Sequence, residues 1–515
     1  MILCWILFIP FVGGLLCWQL ERGRAPEAAP SSLPRWIALI SMLLIMFLSI
    51  WLWIVGDFTL TGGSVGDTPS WTREVQFQWI ERFGISFHLA LDGLSLVMLL
   101  LTSFLGVLAV LCSWKEITNR VGFFHLNLMW IIGGVVGVFL SVDLFLFFFF
   151  WEMMLVPMYF LIALWGHSGS KGQTRVQTAI KFFIYTQASG LLMLVSILGL
   201  VFAHYSATGD FTFDYATLKH TPMAQPVAFL LMLGFFIAFA VKLPAVPFHG
   251  WLPDAHAQAP TAGSVDLAGI LLKTAAYGML RFAIPLFPEA SATMAPFAMG
   301  LGLIGIYYGA MLAFAQTDVK RLIACSSISH MGFVLIGIYS GSMLALQGVI
   351  VLMVAHAFSA AGLFIISGQI YERIQTRDMT QMGGLFGRMG ALPGFALVFV
   401  VASLGMPATG NFIGEFLILF GAFPVVPWVV IVSTGGLVLA AVYSLVLMHR
   451  VYWGTPSSET SLGGLDVREY SMLMLLVVLT LIVGLFPETV LGVSQSAMTE
   501  VSHWFAAASA SMPTS

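Results

Sequence analysis

Long apolar runs separated by short polar connections dominate this chain from its second residue almost to its end. A run of about 20 apolar residues is the length that an α-helix needs to cross a bilayer. Fourteen such runs predict an all-α, polytopic membrane protein with about fourteen transmembrane helices. The predicted helices begin near Ile2, Trp36, Leu94, Phe123, Leu144, Ala179, Val227, Val265, Met294, Leu322, Met343, Leu392, Trp428 and Met472.

The composition supports this class, because 59% of the 515 residues are hydrophobic and only 9% are charged, outside the range of soluble domains. The longest polar connection, residues 56–92, is predicted to be a loop, so residues 1–515 form one membrane domain. Residues 2–18 have the length of a signal peptide. They lack its basic start and small-residue cleavage site, and we interpret them as the first membrane helix.

Charges and cysteines exclude several other classes. The net charge is −3, and no run of Lys and Arg suits nucleic acid, so we expect no such partner. The four cysteines lie far apart in the sequence. An iron–sulfur cluster needs grouped thiolates, so buried, structural cysteines are expected at Cys4, Cys17, Cys112 and Cys325.

The distribution of basic residues predicts the orientation of the chain. If the amino terminus lies outside the cytoplasm, four basic residues fall in the outer connections: Arg73, Arg82, Lys219 and Arg281. The inner connections then hold Arg22, Arg24, Arg35, Lys115, Arg120, Lys171, Arg175, Lys181, Lys320, Arg321, Arg373, Arg377, Arg388, Arg450 and Arg468. The excess of Lys and Arg on the cytoplasmic side of membrane proteins therefore predicts that both termini are outside.

Four ionisable residues lie well inside the apolar runs: Glu152, Lys242, Lys273 and Glu415. A charged side chain at mid-membrane costs about 2.5 to 3.5 kcal/mol on insertion scales, and such residues usually mark ion or proton pathways. The pattern therefore predicts a buried ionisable pathway.

Lys242 is followed by Pro244 and Pro247, which cannot donate helical hydrogen bonds, so a broken helix is expected there. Transporters place such breaks beside ion sites. His249 could share the helix face of Lys242 if helical geometry survives the break. A proline kink that only shapes packing is the alternative.

The next predicted helix carries Asp266 and Lys273 seven residues apart, hence roughly on one face, with Tyr277 one turn further. A desolvated lysine can exchange its proton near neutral pH, although a lysine that reaches out to water is the alternative. Glu152 is expected to approach one of the lysines and change its proton affinity, or to form a fixed ion pair.

His330 and His356 lie in separate predicted helices near several serines and could extend a wetted chain. Either histidine could instead be an ordinary hydrogen-bonded core residue. Glu415 again follows a proline-and-glycine break, at Pro407 and Gly410. A broken helix with an ionisable residue thus occurs in each half of the chain, which suggests an internal repeat.

Residues 241–265, VKLPAVPFHGWLPDAHAQAPTAGSV, resemble the signature of the antiporter-like, proton-translocating subunits of respiratory complex I. Residues 149–159, 317–324 and 405–416 resemble the M-type subunit of that family, and the resemblance extends from Ile2 to about Trp504. Phe248 and Ala257 depart from the expected leucine and serine. L-type subunits add a long lateral helix, whereas only about twenty weakly apolar residues follow the last run here.

The resemblance implies two inverted five-helix repeats, helices 4–8 and 9–13, with breaks in helices 7 and 12. Residues 1–121 would hold helices 1–3, residues 122–290 and 291–455 the two half-channels, and residues 456–515 the last helix and tail. It also implies the proton-translocation residues Glu152, Lys242, Lys273, His330, His356 and Glu415, with His249, Asp266 and Tyr277 as a secondary polar axis.

By the same resemblance the chain is a subunit of NADH:quinone oxidoreductase in the bacterial inner membrane, within a large hetero-oligomer with L-like and N-like subunits and lipids. No cofactor or metal is expected in this chain, and FMN, iron–sulfur clusters and quinone are expected in other subunits. The main alternative is a subunit of a multisubunit Na⁺/H⁺ antiporter. A remote one is a membrane redox protein with haem between His330 and His356.

Overall fold

Membrane-length helices make up nearly all of the computed structural model, which describes residues 1–22, 32–56, 58, 71–167, 174–454 and 462–511. Thirteen helices within these ranges are long and apolar enough to cross a membrane, and two shorter apolar helices form a divided fourteenth. The predicted fold class is confirmed. The helices are α1 Ile2–Arg22, α2 Leu33–Val55, α3 Gly93–Glu116, α4 Val121–Leu140, α5a Leu144–Met153, α5b Leu155–Trp165, α6 Arg175–Thr208, α7a Gln225–Lys242, α7b Leu252–Gln258, α8 Thr261–Leu286, α9 Pro288–Phe314, α10 Val319–Tyr339, α11 Met343–Ile374, α12a Leu392–Ser403, α12b Gly410–Ala422, α13 Pro427–Val451, α14 Val467–Leu485 and α15 Glu488–Ser511.

Three membrane helices are interrupted near ionisable residues. α7 breaks directly after Lys242. α12 breaks between Ser403 and Gly410, and Glu415 lies five residues after the start of α12b; both breaks contain the prolines that predict them. α5 is also interrupted, at Met154, next to Glu152. α8 is continuous but contains two π-helical stretches, Leu267–Leu271 and Met279–Ala283. A regular α-helix was expected there, and π turns of this kind are frequent at functional sites.

The centre of the protein is formed by α8, α10 and α11. The apolar segment of each of these helices is completely buried. α2, α13 and α14 lie at the periphery and expose apolar side chains. Lys273, His330 and His356 therefore lie in the best-packed part of the molecule, away from lipid.

The prediction of a loop at residues 56–92 is wrong in its second half, because strands β1 Arg73–Ile80 and β2 Ile85–Leu91 form an antiparallel hairpin. Gly84 turns the chain with φ +60°, a conformation that favours glycine. β2 is buried throughout and β1 is mostly exposed. A search for runs of about 20 apolar residues does not detect strands of seven or eight.

His88 links this hairpin to the connection between α6 and α7a. Its Nδ1 lies 3.0 Å from Asp214 Oδ2, and its Nε2 lies 2.6 Å from Glu74 Oε1. Burial alone would lower the pKa of His88, but the hydrogen bonds and charges of the two carboxylates outweigh it and raise the pKa above its ordinary value. The bridging imidazolium is thus stabilised, and the hairpin is held against the connection between α6 and α7.

A further helix, α15, forms within residues 456–515, where only a tail was predicted after the last membrane helix, and it packs on the end of the bundle that carries the hairpin. Lys219 Nζ lies 3.2 Å from Glu500 Oε1, and Ser502 donates a hydrogen bond to the Gly341 carbonyl at 3.1 Å. The carbonyl of Val493 lies so close to Gly93 that a side chain at that position would clash. α15 therefore covers the ends of α3 and α10.

The connections between helices form two groups, one at each end of the bundle. The hairpin face carries β1, β2, Lys219 and α15. The basic face holds the ends of the odd-numbered helices α1 to α13, where Lys115 at the end of α3 pairs with Asp466 before α14 at 2.6 Å. Lys115 and Lys219 thus lie at opposite ends, as the predicted number of helices requires.

Candidate functional site

The first group of candidate residues comprises Glu152, Lys242 and an aromatic ring that the sequence analysis did not identify. Lys242 Nζ lies 4.2 Å from the centre of the Trp151 ring, a cation–π contact, and the residue is 2% exposed. The charges of Lys242 and Glu152 interact. Among the described residues, the Lys242 ammonium has no hydrogen-bond partner, and Gln187 lies beside the Glu152 carboxylate. The ammonium is therefore available to water or to a transferred proton.

The break in α7 is stabilised by its own side chains. Trp251 Nε1 donates a hydrogen bond to the Val241 carbonyl at 2.9 Å, which satisfies a carbonyl that the prolines leave without a helical partner. α7a ends at Lys242 itself, so the ammonium lies at the C-terminal end of a half-helix. A cation is favoured there by the helix dipole.

Lys273 occupies the centre of the molecule and is fully buried. Its ammonium donates a hydrogen bond to the Ala268 carbonyl at 2.5 Å, five residues earlier in the π-helical stretch, and lies 2.8 Å from His356 Nδ1. The π turn frees this carbonyl for the lysine. The ammonium is thereby directed back along α8 toward the basic face.

A chain of polar contacts continues from Lys273 to Glu415. The rings of His356 and His330 are in edge contact with centroids 5.4 Å apart, and His356 Nε2 lies 3.1 Å from Ser327 Oγ. His330 Nδ1 lies 2.9 Å from Glu415 Oε1. All of these side chains are buried. The structure thus brings together four of the six predicted proton-translocation residues.

Two further residues complete the far end of this chain. Tyr443 Oη lies 3.3 Å from His330 Nε2, so the ring can accept from the phenol while it donates to Glu415. Gly405, in the break of α12, has φ +77° and faces the Glu415 carboxylate, where a side chain would crowd Oε2. The break therefore leaves space around the acid.

The two lysines are not joined by a polar contact within the part of the chain that the structure describes. Trp151 packs on Phe147 and Phe239, and Phe147 packs on Phe282 of α8 with ring centroids 4.4 Å apart. Aromatic rings therefore line the region between the first group and α8. The polar chain from Lys273 to Glu415 is the more continuous part of the site.

Known proteins are similar to this sequence over nearly its whole length. Subunit M of NADH-quinone oxidoreductase from Pseudomonas aeruginosa is 63% identical over 99% of both chains, and that from Escherichia coli strain K12 is 63% identical over 98% of both. Residues 141–440 match the family described as "NADH:quinone oxidoreductase/Mrp antiporter, TM". This chain belongs to the NADH-quinone oxidoreductase subunit M family.

Solved structures share this architecture at lower sequence identity. A chain of respiratory complex I from Thermus thermophilus superposes with a TM-score of 0.85 at 28% identity, covering 98% of this chain and 100% of its own. A chain of the Mrp complex from Dietzia has a TM-score of 0.79 at 20% identity and is covered over 51% of its length. The latter likeness shows the fold alone.

The three residues of the predicted secondary axis in this subunit M family member do not contact the residues that connect Lys273 to Glu415. His249 packs edge-on against Tyr308, whose ring is at the periphery, with centroids 5.2 Å apart. Tyr277 contacts Ser95 and donates to the Phe139 carbonyl, both at 3.0 Å. Asp266 is fully buried but does not contact Lys273. The π turn between them changes the register that regular helical spacing predicts.

His256 is the main residue that the sequence analysis missed. It lies in α7b, fully buried, and stacks on Phe364 of α11 with centroids 4.7 Å apart. Neither ring nitrogen has a hydrogen-bond partner among the described residues, and the charges of Lys273 and Lys320 act on it. Seven residues separate His256 from His249, and spacing alone could not show which ring faces the centre.

The basic-face end of α7b is fixed by charged residues. Asp254 Oδ2 lies 2.7 Å from Lys181 Nζ, and its Oδ1 lies 2.5 Å from Arg321 Nη1. Lys320 Nζ donates to the Ala259 carbonyl at 3.0 Å, and Arg377 donates to the Ala257 carbonyl. Cations at the C-terminus of a short helix are favourable. They hold the second half of the broken helix in place.

The geometry argues against the haem hypothesis. The rings of His330 and His356 touch each other, which leaves no space for a porphyrin between them. All four ring nitrogens already have polar partners, namely Glu415, Tyr443, Lys273 and Ser327. An axial ligand needs a free nitrogen directed at the iron. Each histidine is instead held by polar partners on other helices.

Proposed function

We propose that this chain is a proton-translocating M-type membrane subunit of NADH:quinone oxidoreductase and that protons move along its buried Glu, Lys and His residues. The observation that carries the proposal is the polar chain from Lys273 through His356 and His330 to Glu415. A buried path of titratable groups within an apolar bundle is the arrangement that proton relays use.

Each residue in the row of polar contacts from Lys273 to Glu415 can take part in proton transfer. Lys273 donates to His356 Nδ1, so loss of its proton to that nitrogen gives an imidazolium and a neutral amine. Once His330 has taken up a proton on Nε2, the imidazolium can pass its Nδ1 proton to Glu415, whose carboxylate accepts at 2.9 Å. The step between the two rings needs a bridging hydroxyl or water, and Ser327 lies beside it. Glu415 then releases the proton through the break in α12.

The first group acts as a switch in this proposal. The carboxylate of Glu152 stabilises the cationic form of Lys242, so moving the carboxylate away would release the lysine proton. Both residues lie at helix interruptions that can change shape more easily than a continuous helix. The broken helices α7 and α12 would occupy equivalent places in two inverted repeats.

The energy for translocation would come from quinone reduction in other subunits of a large hetero-oligomer that includes L-like and N-like subunits, and this chain would itself bind no redox cofactor. The affinity-tagged chain, isolated in mild detergent from its native membrane, should copurify with subunits that oxidise NADH. The measurement is NADH:acceptor activity in the eluate against an untagged control.

Sodium-dependent antiport without NADH-oxidising partners would instead support the Na⁺/H⁺ antiporter alternative. Close relationship to subunit M over the whole chain favours the complex I function, because the Mrp likeness is one of fold.

We further propose that the chain lies in a bacterial inner membrane with the basic face toward the cytoplasm and both termini in the periplasm, because Lys and Arg are enriched in the connections of one face. A reporter tag inserted beside Lys219 should be accessible from the periplasm. A tag inserted beside Gln375, at the end of α11, should be accessible only from the cytoplasm. Accessibility of both tags from the same side would contradict this orientation.

A further inference from the structure

His88 joins three separate segments at the hairpin face. It lies in β2 and is 4% exposed, and its ring contacts Glu74 of β1 at 2.6 Å and Asp214 of the connection between α6 and α7a at 3.0 Å. When both carboxylates are ionised, the ring can donate to each of them only if both of its nitrogens carry a proton. The closed hairpin therefore favours the cationic imidazolium.

The titratable groups that face the ring from the packed segments are acidic. They are Glu74 from β1, Asp214 from the connection and, beside the neighbouring Ser86 of β2, Asp143 at the start of α5a. α4 meets β2 through the backbone of Ser141. Within the described ranges, no interaction with the ring comes from the other titratable groups of the segments next to β2, namely the amino terminus and Cys4 of α1 and Glu81 and Arg82 of the hairpin turn.

The raised pKa of His88 gives the direction of the pH dependence. Burial alone would lower this pKa, but the hydrogen bonds and charges of Asp214 and Glu74 raise it. In an open hairpin the ring would have its ordinary pKa. The two ion pairs therefore stabilise the closed hairpin fully below the ordinary pKa, and this stabilisation is lost as the pH rises through the raised value. The side chain of Glu74 is 47% exposed, so the site is in contact with the solution at the hairpin face.

The hairpin is connected to the first turn of α5a through Asp143. One oxygen of this carboxylate accepts from the backbone N–H groups of Phe145 and Leu146, at 2.9 and 3.0 Å, and so caps the helix. The other oxygen accepts from the backbone N–H of Ser86 in β2 at 2.9 Å and from its hydroxyl at 3.2 Å. The cap of α5a is thus shared with the hairpin.

The connection that carries Asp214 is also joined to the start of α5a. The backbone N–H of Leu144 donates to the Phe213 carbonyl at 2.9 Å, and that of Tyr215 donates to the Val142 carbonyl at 3.0 Å. The two residues next to Asp214 therefore hold the residues on either side of the helix cap. Both segments that His88 joins to each other, β2 and this connection, end on the first turn of α5a.

We propose that His88 is a proton-sensitive latch that couples the acidity at the hairpin face to the position of Glu152 through α5a. α5a is ten residues long, and Glu152 lies eight residues after its first residue, which corresponds to about 12 Å of helix rise. When His88 is charged, the hairpin is closed and the first turn is held. Loss of the proton opens the hairpin, releases Asp143 and lets α5a shift relative to Lys242. Only the effect on Glu152 rests on the proposed function.

Hydrogen exchange of the assembled complex tests the latch. Amide protection in β2 and in the first turn of α5a should fall at least roughly tenfold from about pH 6 to about pH 9, relative to an unstructured peptide of the same sequence, because a charge-assisted hydrogen bond is lost. His88→Gln, whose side chain cannot become charged, should show low protection at both pH values. Protection of the buried helix α10 should stay the same.

His503→Gln is the matched control, because His503 is an exposed histidine of α15 at the same face. It should reproduce the pH profile of the wild type. Equal protection of β2 at both pH values in the wild type would overturn the latch, and so would a His88→Gln profile with the wild-type pH dependence. A change confined to β2, with the first turn of α5a protected throughout, would reject the coupling to Glu152.

Proteoliposomes with the hairpin face toward the lumen test the consequence for translocation. Raising the lumenal pH lowers the gradient against which protons move and should by itself speed translocation. In the wild type the opened latch should slow NADH-driven translocation instead, whereas His88→Gln should be slower at acidic lumenal pH and should not slow further. A rate that rises equally with lumenal pH in both would overturn the coupling.

Failure of the latch and failure of the proposed function give different results. Normal pumping by both Lys242→Ala and Glu415→Ala would reject the function, while the pH-dependent exchange of β2 would still stand. Defective pumping in both variants, together with exchange of β2 that does not depend on His88, would reject the latch alone.

Discussion

Glu415→Ala should abolish proton translocation while the complex still assembles. The carboxylate is 3% exposed and is the only acidic partner of His330 among the described contacts. Without it, the relay from Lys273 has no acceptor at its far end, and a protonated His330 would be a buried, unpaired charge. Loss of a positioned proton acceptor typically costs 10²- to 10⁴-fold in rate. Inside-out vesicles energised with NADH and read by a pH-sensitive dye provide the measurement.

Two variants separate the role of the proton from that of packing. Glu415→Gln keeps the shape but not the acid and should be as defective as alanine. Glu415→Asp should retain part of the activity. The adjacent Phe416 is 49% exposed, and Phe416→Leu should translocate normally. A proton-to-electron ratio equal to the wild type in Glu415→Ala would refute the relay.

Lys242→Ala should also eliminate translocation, for a different reason. It removes the charge that interacts with Glu152, leaving that carboxylate without its partner in a low-dielectric region. The switch between the two residues is then lost. NADH oxidation with a hydrophilic artificial acceptor should stay near normal, because that reaction bypasses the membrane arm, whereas dye quenching in vesicles should disappear.

Lys242→Arg distinguishes a proton carrier from a fixed charge. Arginine keeps the positive charge near Trp151 but does not release its proton at physiological pH. We expect this variant to assemble and still fail to translocate. Full translocation by Lys242→Arg would show that the charge at this position is sufficient and that no proton passes through the side chain.

Much of the architecture follows from local sequence, because membrane insertion depends on the apolar character of each segment in turn. The fourteen segments and the breaks after Lys242 and before Glu415 were predicted from apolar runs and prolines. The rarity of charge in a bilayer was sufficient to select Lys273 and Glu415. The hairpin of β1 and β2 was not found, since its strands of eight and seven residues are too short to appear as membrane-length apolar runs.

Tertiary structure determined which of these groups meet. The sequence could not show that Lys273 contacts His356, or that His330 contacts Glu415, because 83 and 85 residues separate the partners. It favoured His249 over His256, although the latter is the one that faces the centre. It also placed Asp266 and Lys273 on one face, which the π turn of α8 prevents.

The physical reason for this division is that insertion and helix breaking are properties of consecutive residues, whereas the buried contacts depend on how helices pack. Composition determined that this chain crosses the membrane many times and carries charges inside it. Only the packing of α8, α10, α11 and α12b brought Lys273, His356, His330 and Glu415 into one row of contacts, because side chains on different helices meet only when the bundle is assembled.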